Sequence, residues 1–264
     1  YTLEDEIIRN LVKKSFVKLL NKFGYSICKY NKYQDLPVEL DANDVDLIKH
    51  VLDKGYTMTS VARLVNTLKS CKYVVENNIS GDFVECGVWR GGNGILAKLL
   101  FEELDSHRRV WMYDTFEGMT APTNYDVSSQ TKINAIKKFE DTKKDTYSEW
   151  CYASLEDVQN NCLNSNLRLD ELKFIKGDVS KTLYVKDNLP SNISILRLDT
   201  DWYESTKCEL EVLYPILNVG GVLIIDDYGH WEGARKAVDD YFAETDFKPL
   251  FNVTDYTGRS AIKL

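Results

Sequence analysis

Two pairs of aspartates carry the strongest chemical signal in this 264-residue chain. Asp199-Thr200-Asp201 follows the apolar run 193–198, and Asp226-Asp227 follows the apolar run 222–225. Both runs read as strands, and in a doubly wound sheet the carboxyl ends of the strands form the ligand crevice. Four carboxylates at one sheet edge repel each other unless something positive sits among them. An octahedral, oxygen-ligated cation such as Mg²⁺ meets that need, with Mn²⁺ a substitute. An aspartate after a strand also caps the following helix. One such cap is common, whereas two pairs at one edge point to a metal. His230 follows Asp226-Asp227-Tyr228-Gly229 and competes with the aspartates for a proton-transfer role. His50 and His107 are expected at the surface.

Three further acidic positions sit at strand ends. Glu85 opens Glu85-Cys86-Gly87-Val88-Trp89-Arg90-Gly91-Gly92, whose glycines allow close backbone approach to a ligand. The spacing is not GxGxxG, and Glu85 would repel a pyrophosphate but suits an ammonium group. Asp114 ends the next apolar run, 29 residues after Glu85, and a carboxylate there accepts hydrogen bonds from a ribose diol. Nicotinamide enzymes and methyltransferases share that feature, and a helix-capping role competes with it. Asp178, after Gly177, is placed to accept from an adenine amino group, or serves as a plain loop residue.

The elements that must position these groups follow from hydrophobic periodicity. Leu3, Ile7, Ile8, Leu11 and Val12 recur at helical spacing before a stop at Gly24, and further helices are expected over 44–54 and 60–77. These three form a cap or an oligomerisation surface over residues 1–78. From residue 79 onward, apolar runs at 83–88, 110–114, 172–177, 193–199 and 222–226 alternate with helical patterns at 94–104, 154–163, 204–217 and 232–244. Such alternation specifies a parallel α/β sheet with helices on both faces. Ser154 with Asp157 resembles a capping box. Two closing runs, 248–253 and 260–264, lie around the turn Thr257-Gly258-Arg259 and form a hairpin that adds one antiparallel strand. The polar, tyrosine-bearing stretch 115–150 reads as an active-site lid with a helix over 132–139.

Composition narrows the function. A composition with 44% hydrophobic residues describes an ordinary globular chain, and a net charge of -8 argues against nucleic acid as the main partner without excluding a local basic patch. No apolar run is long enough to span a membrane, so a cytoplasmic location is expected. Six cysteines show no CxxC pair and are expected to be reduced core residues. The chain starts at Tyr1 and is expected to be trimmed or part of something longer; a homo-oligomer is also expected.

In order, these residues resemble the macrocin O-methyltransferase family, class I enzymes acting on antibiotic sugars. The matching stretches are Thr57-Met58 through Arg63-Leu64, residues 81–92, Tyr113-Asp114-Thr115-Phe116-Glu117-Gly118, residues 196–206 and residues 220–229. The resemblance runs from about residue 56 to 244. It implies a Rossmann-like class I methyltransferase sheet using S-adenosylmethionine. It also implies a Mg²⁺ site of Asp199, Asp226 and Asp227, with Asp201 as general base. Cofactor contacts are implied for Thr57, Glu85, Gly87, Asp114 and Thr115, and the same stretches add Met58, Trp89, Arg90, Gly91 and Phe116. One departure falls near Asp178, where the family pattern has an aromatic residue. The expected reaction is methyl transfer to a hydroxyl of a sugar or glycosylated small molecule. A catechol would chelate the metal through its diol in the same way. A nicotinamide-dependent nucleotide-sugar enzyme is opposed by the missing GxGxxG. A non-catalytic domain of the same fold is opposed by the intact aspartates.

Overall fold

The computed structural model describes Lys14, residues 16–25, Tyr33 and residues 36–264. The chain divides into two units, Tyr1–Asp35 and Leu36–Leu264. In the first, residues 16–22 are helical and the chain turns at Gly24, where φ is +79°. The periodic residues Leu3, Ile7, Ile8, Leu11 and Val12, and also Cys28, lie outside the described residues.

The second unit is built on seven strands: β1 (Asp82–Cys86), β2 (Val110–Asp114), β3 (Leu172–Lys176), β4 (Ile193–Leu198), β5 (Leu217–Ile225), β6 (Asn252–Val253) and β7 (Arg259–Ile262). Their order is β3-β2-β1-β4-β5-β7-β6. β1 through β5 are parallel, and β7 runs antiparallel between β5 and β6. This is the class I methyltransferase sheet with its closing hairpin, as the alternation of runs predicted. Sequence switches direction around β1 and β4, and a ligand crevice opens at that switch.

Strand residues alternate between two cores. Phe83, Val110, Met112, Ile195, Val222 and Ile224 face one side. Val84, Trp111, Tyr113, Leu196, Leu198 and Leu223 face the other, against helices Tyr203–Leu213 and Glu232–Ala243. A fully buried Leu, Ile or Phe contributes about 1.5–3 kcal/mol, so a central strand such as β4, buried along its whole length, anchors the fold. Helices Ala42–Asp53 and Val61–Glu76 place Leu47, Ile48, Val51, Leu64 and Leu68 in the first core beside Phe83 and Ile95. The boundary expected at residue 78 therefore falls inside one hydrophobic core.

Local signals set the helix ends. Asp41 and Asp44 form a reciprocal capping box at Ala42–Asp53, and Ser60 caps Val61–Glu76. Ser154 caps Leu155–Asn164 through Asp157 N, but the Asp157 carboxylate is taken by Arg90 Nε at 2.8 Å, so no reciprocal box closes. The helix expected to reach residue 217 stops at Leu213, because Pro215 turns the chain into a 3₁₀ segment. Cys71, Cys86, Cys151, Cys162 and Cys208 are free thiols. No described helix is long and apolar enough to cross a membrane.

The segment 115–150 is folded down rather than loose. Its helix is Ala135–Thr142, three residues later than expected, because Asn134 supplies the cap. Phe139 and Trp150 join Trp202 and Trp231 in a separate aromatic cluster, with Trp150–Trp202 centroids 5.4 Å apart and edge-to-face. Asp126, fully buried, ties the segment to the sheet. Its Oδ2 accepts from Thr123 N and Oγ1, and its Oδ1 accepts from Tyr203 N at 2.8 Å. Asp126→Ala removes that tie and strands a buried amide. The expected outcome is a loss of about 2–3 kcal/mol in chemical denaturation, with faster proteolysis confined to residues 115–150.

Candidate active site

The carboxyl ends of β1 through β5 carry five acidic residues in spatial order. Asp178 follows β3, Asp114 ends β2, Glu85 lies in β1, Asp199 follows β4 and Asp226 follows β5. All five line one cavity of 270 Å³, which also takes in Thr57, Met58, Thr59, Arg63, Gly87, Trp89, Thr115 and Asp201. Arg90, Gly91 and Phe116, expected as ligand contacts, are not on its wall. Arg90 instead bonds Asp157 and Gly55 O. Gly91 is the left-handed cap of helix Gly92–Glu103, and Phe116 is buried in the core.

Asp114 is committed to the backbone more than expected. Its Oδ2 accepts from Val88 N at 2.8 Å and Trp89 N at 3.1 Å, while Oδ1 accepts from Phe116 N at 2.8 Å. Thr115 Oγ1 lies 2.6 Å from Gly118 O and 3.3 Å from Asp114 Oδ1. Burial raises Asp114 above the ordinary carboxylate range despite these donors. Asp178 caps the short helix Val179–Thr182, accepting from Ser180 N at 2.9 Å, and faces the cavity at the same time.

The aspartate cluster holds a feature that strand reading missed. Arg197, the penultimate residue of β4 and 1% exposed, donates from Nη1 to Glu85 Oε1 at 2.7 Å and to Asp199 Oδ2 at 2.6 Å, and from Nη2 to Asp226 Oδ1. Arg63 donates from Nη1 to Asp226 Oδ2. Two guanidinium groups therefore supply positive charge that the carboxylates were expected to draw from a metal alone. A charged residue inside an apolar strand run, Leu196-Arg197-Leu198, was the available signal, because a buried arginine demands carboxylate partners. Burial opposes the Arg197 charge, but Asp199, Asp226 and Glu85 hold it more firmly protonated than an ordinary arginine.

The two guanidinium groups do not exhaust the cluster. Ligand atoms of Asp199, Asp226 and Asp227 all lie within 4.8 Å of one another, a grouping able to hold a metal ion. Asp227 Oδ2 and Glu85 Oε2 are buried without a hydrogen-bond partner, and an orphaned carboxylate oxygen calls for a cationic or donating ligand. Burial, together with the adjacent carboxylates, pushes Asp199 and Asp227 well above the usual range.

Asp201 departs from the expected geometry. β4 ends at Leu198, and Asp201 has φ +70°, in the left-handed region. It is thus not a strand neighbour sharing a face with Asp199 but the strained residue of a turn. The turn is fixed by Thr200 Oγ1, which is 2.8 Å from both Ser205 Oγ and Glu209 Oε1. Burial lifts Asp201 to about 7, with Asp199 and Asp226 adding to the rise and a hydrogen bond with Asp227 opposing it.

Asp201 and Asp227 also face an adjoining cleft with Arg63, Lys138, Trp150, His230, Trp231 and Tyr256. His230 Nδ1 lies 2.6 Å from Tyr256 Oη, and burial, with Arg63 and Lys138 nearby, lowers its pKa. His107 is 95% exposed as expected. His50 is not a surface residue: it is half-buried, with Nε2 2.8 Å from Ser165 Oγ.

Comparison with known proteins adds to this geometry. The family described as Macrocin-O-methyltransferase (TylF) matches residues 6–260. The demethyldecarbamoylnovobiocin O-methyltransferase of Streptomyces niveus is 34% identical over 77% of this chain and 74% of its own. A tetracenomycin rhamnosyl 4'-O-methyltransferase of Streptomyces olivaceus is 32% identical over 86% of this chain and 85% of its own. The solved structure of the O-methyltransferase NovP superposes with a TM-score of 0.73 at 28% identity, covering 84% of this chain and 98% of that one.

The pH dependence of stability checks the electrostatics. Burial holds Glu85 at about 7, above its ordinary 4.5. The fold therefore binds that proton more tightly than the unfolded chain does. Its contribution to stability is full below about 4.5 and is lost as pH rises to about 7. Glu85→Gln cannot titrate. In metal-free protein its stability relative to wild type should rise across that window, approaching about 1.4 kcal/mol per pH unit. A flat difference in urea denaturation would show that Glu85 is ordinary.

Proposed function

This chain belongs to the macrocin-O-methyltransferase family, and we propose that it transfers a methyl group from S-adenosylmethionine to a hydroxyl of a sugar or glycosylated small molecule. In this reading Asp199, Asp226 and Asp227 hold a divalent metal, Mg²⁺ or Mn²⁺. The observation that carries it is the row of five carboxylates on one cavity, two of which, Asp199 and Asp226, form with Asp227 a group whose ligand atoms lie within 4.8 Å of one another. The names of the relatives, methyltransferases for novobiocin, rhamnosyl-tetracenomycin and mycinamicin precursors, support a sugar-bearing acceptor over a free catechol.

The division of labour follows the sheet edge. Asp114 and Asp178 take the ribose and adenine of the donor. Glu85, through its unpartnered Oε2, takes the amino group. When bound, the metal supplies a Lewis acid that lowers the pKa of an acceptor hydroxyl, and the donor supplies an already activated methyl group. Asp201 receives the hydroxyl proton as the new C–O bond forms and the C–S bond breaks. Asp201 is a carboxylate on the cavity wall, a group able to act as general base. The linker between helices Ala42–Asp53 and Val61–Glu76 borders the cavity, since Thr57, Met58 and Thr59 line it. His230 is a second candidate base: burial lowers its pKa, which favours the neutral imidazole, and it shares the cleft with Asp201.

Mass-spectrometric screening of glycosides and catechols with an isotope-labelled methyl donor tests the reading. Label is expected on a glycoside hydroxyl. Activity is expected to vanish with EDTA and return with Mg²⁺, and full turnover after exhaustive chelation would remove the metal. Asp201→Asn should lower kcat by about a hundredfold while donor affinity holds. A mild Asp201→Asn beside a crippled His230→Gln would move the base to His230.

A further inference from the structure

Among the described residues, the cavity wall carries six carboxylates, Glu85, Asp114, Asp178, Asp199, Asp201 and Asp226, and one cationic side chain, Arg63. We propose that Arg63 binds the carboxylate at the amino-acid end of the methyl donor. The proposal rests on reading the cavity as an S-adenosylmethionine site. That ligand brings a sulfonium, an ammonium and a carboxylate. An acidic wall suits the first two and repels the third, so the carboxylate needs a cation of its own.

Arg63 stands at the matching end of the cavity. Asp178 and Asp114, at the ends of β3 and β2, mark the nucleoside end, and Glu85 marks the amino end. Arg197 links Glu85 to Asp226, and Arg63 reaches the same Asp226. Arg63 is thus connected to the Glu85 side of the cavity through two hydrogen-bonded neighbours. Thr57, Met58 and Thr59, on the segment leading into the helix that bears Arg63, line the cavity too.

The side chain is held from behind. Nε lies 3.3 Å from Ser60 Oγ and 3.1 Å from Asp255 Oδ2. Nη1 is on Asp226, and Nη2 has no acceptor among the described residues. A guanidinium anchored through Nε presents its Nη edge as a fork, the geometry that recognises a carboxylate and that an ammonium lacks. The side chain keeps 18% exposure, so the fork is reachable from the cavity.

Calorimetry with S-adenosylmethionine and decarboxylated S-adenosylmethionine, which differ only in the carboxylate, tests this. Wild type should prefer the carboxylated form by about tenfold to a hundredfold. Arg63→Met should bind both at the level of the decarboxylated form, with affinity for that form changed less than about threefold. An undiminished preference in Arg63→Met overturns the proposal, as does an equal loss for both ligands, which a purely structural role would produce. If Arg63→Met does not fold, Arg63→Lys decides: a reduced preference supports the proposal and an unchanged one overturns it. Wild type binding neither ligand would sink the donor reading itself, and this proposal with it.

Discussion

A buried guanidinium sets the terms for everything at the sheet edge. Arg197 sits inside a strand whose other residues are almost all apolar and bonds carboxylates from β1, from the turn after β4 and from the end of β5. A charge at 1% exposure is tolerated only when it is paired and hydrogen-bonded, and removing a partner from such a group costs about 3–5 kcal/mol. The pairing therefore fixes the relative positions of three strand ends. It also determines which carboxylate oxygens remain free. Glu85 Oε1 is taken and Oε2 is not, so Glu85 is presented to the cavity already oriented.

The second constraint is torsional strain in the backbone at the same edge. Trp89, Phe116 and Asp201 have φ of +45°, +53° and +70°. None is glycine, and such residues persist only where neighbours over-determine them. Asp114 provides this at two of the three, accepting from Trp89 N and Phe116 N. Gly87 completes the β1 turn, because a Cβ there would lie 2.0 Å from Asp199 O. The close packing of the β1 turn on the β4 turn is thus a reason for glycine that is independent of any ligand.

How much of this could be read from residues alone depends on whether a signal was periodic or pairwise. The parallel sheet, the two helical layers and the antiparallel β7 follow from runs of two-fold and 3.6-fold spacing, and these survive folding because burial drives them. The strand ends that carry Asp114, Asp199 and Asp226 were legible for the same reason. What escaped was decided by pairing between residues far apart in sequence. Arg197 meets Glu85 across 112 positions, and Arg63 meets Asp226 across 163. Spacing along one strand cannot report either contact. The expectation that Asp199 and Asp201 share a face failed because β4 ends one residue before Asp199, and a turn does not obey strand alternation.

The turn after β4 shows why that failure matters chemically. A strand-like Asp201 would point beside Asp199 and add a further negative charge to the group of Asp199, Asp226 and Asp227. The left-handed turn instead places Asp201 on the wall shared by the main cavity and the adjoining cleft. The turn does not depend on a ligand for its shape. Thr200 is held by Ser205 and by Glu209, a fully buried carboxyl that burial raises well above the ordinary range. Glu209 fixes the turn by accepting from the Thr200 hydroxyl, while Asp199, Asp226 and Asp227 shape the field around Asp201.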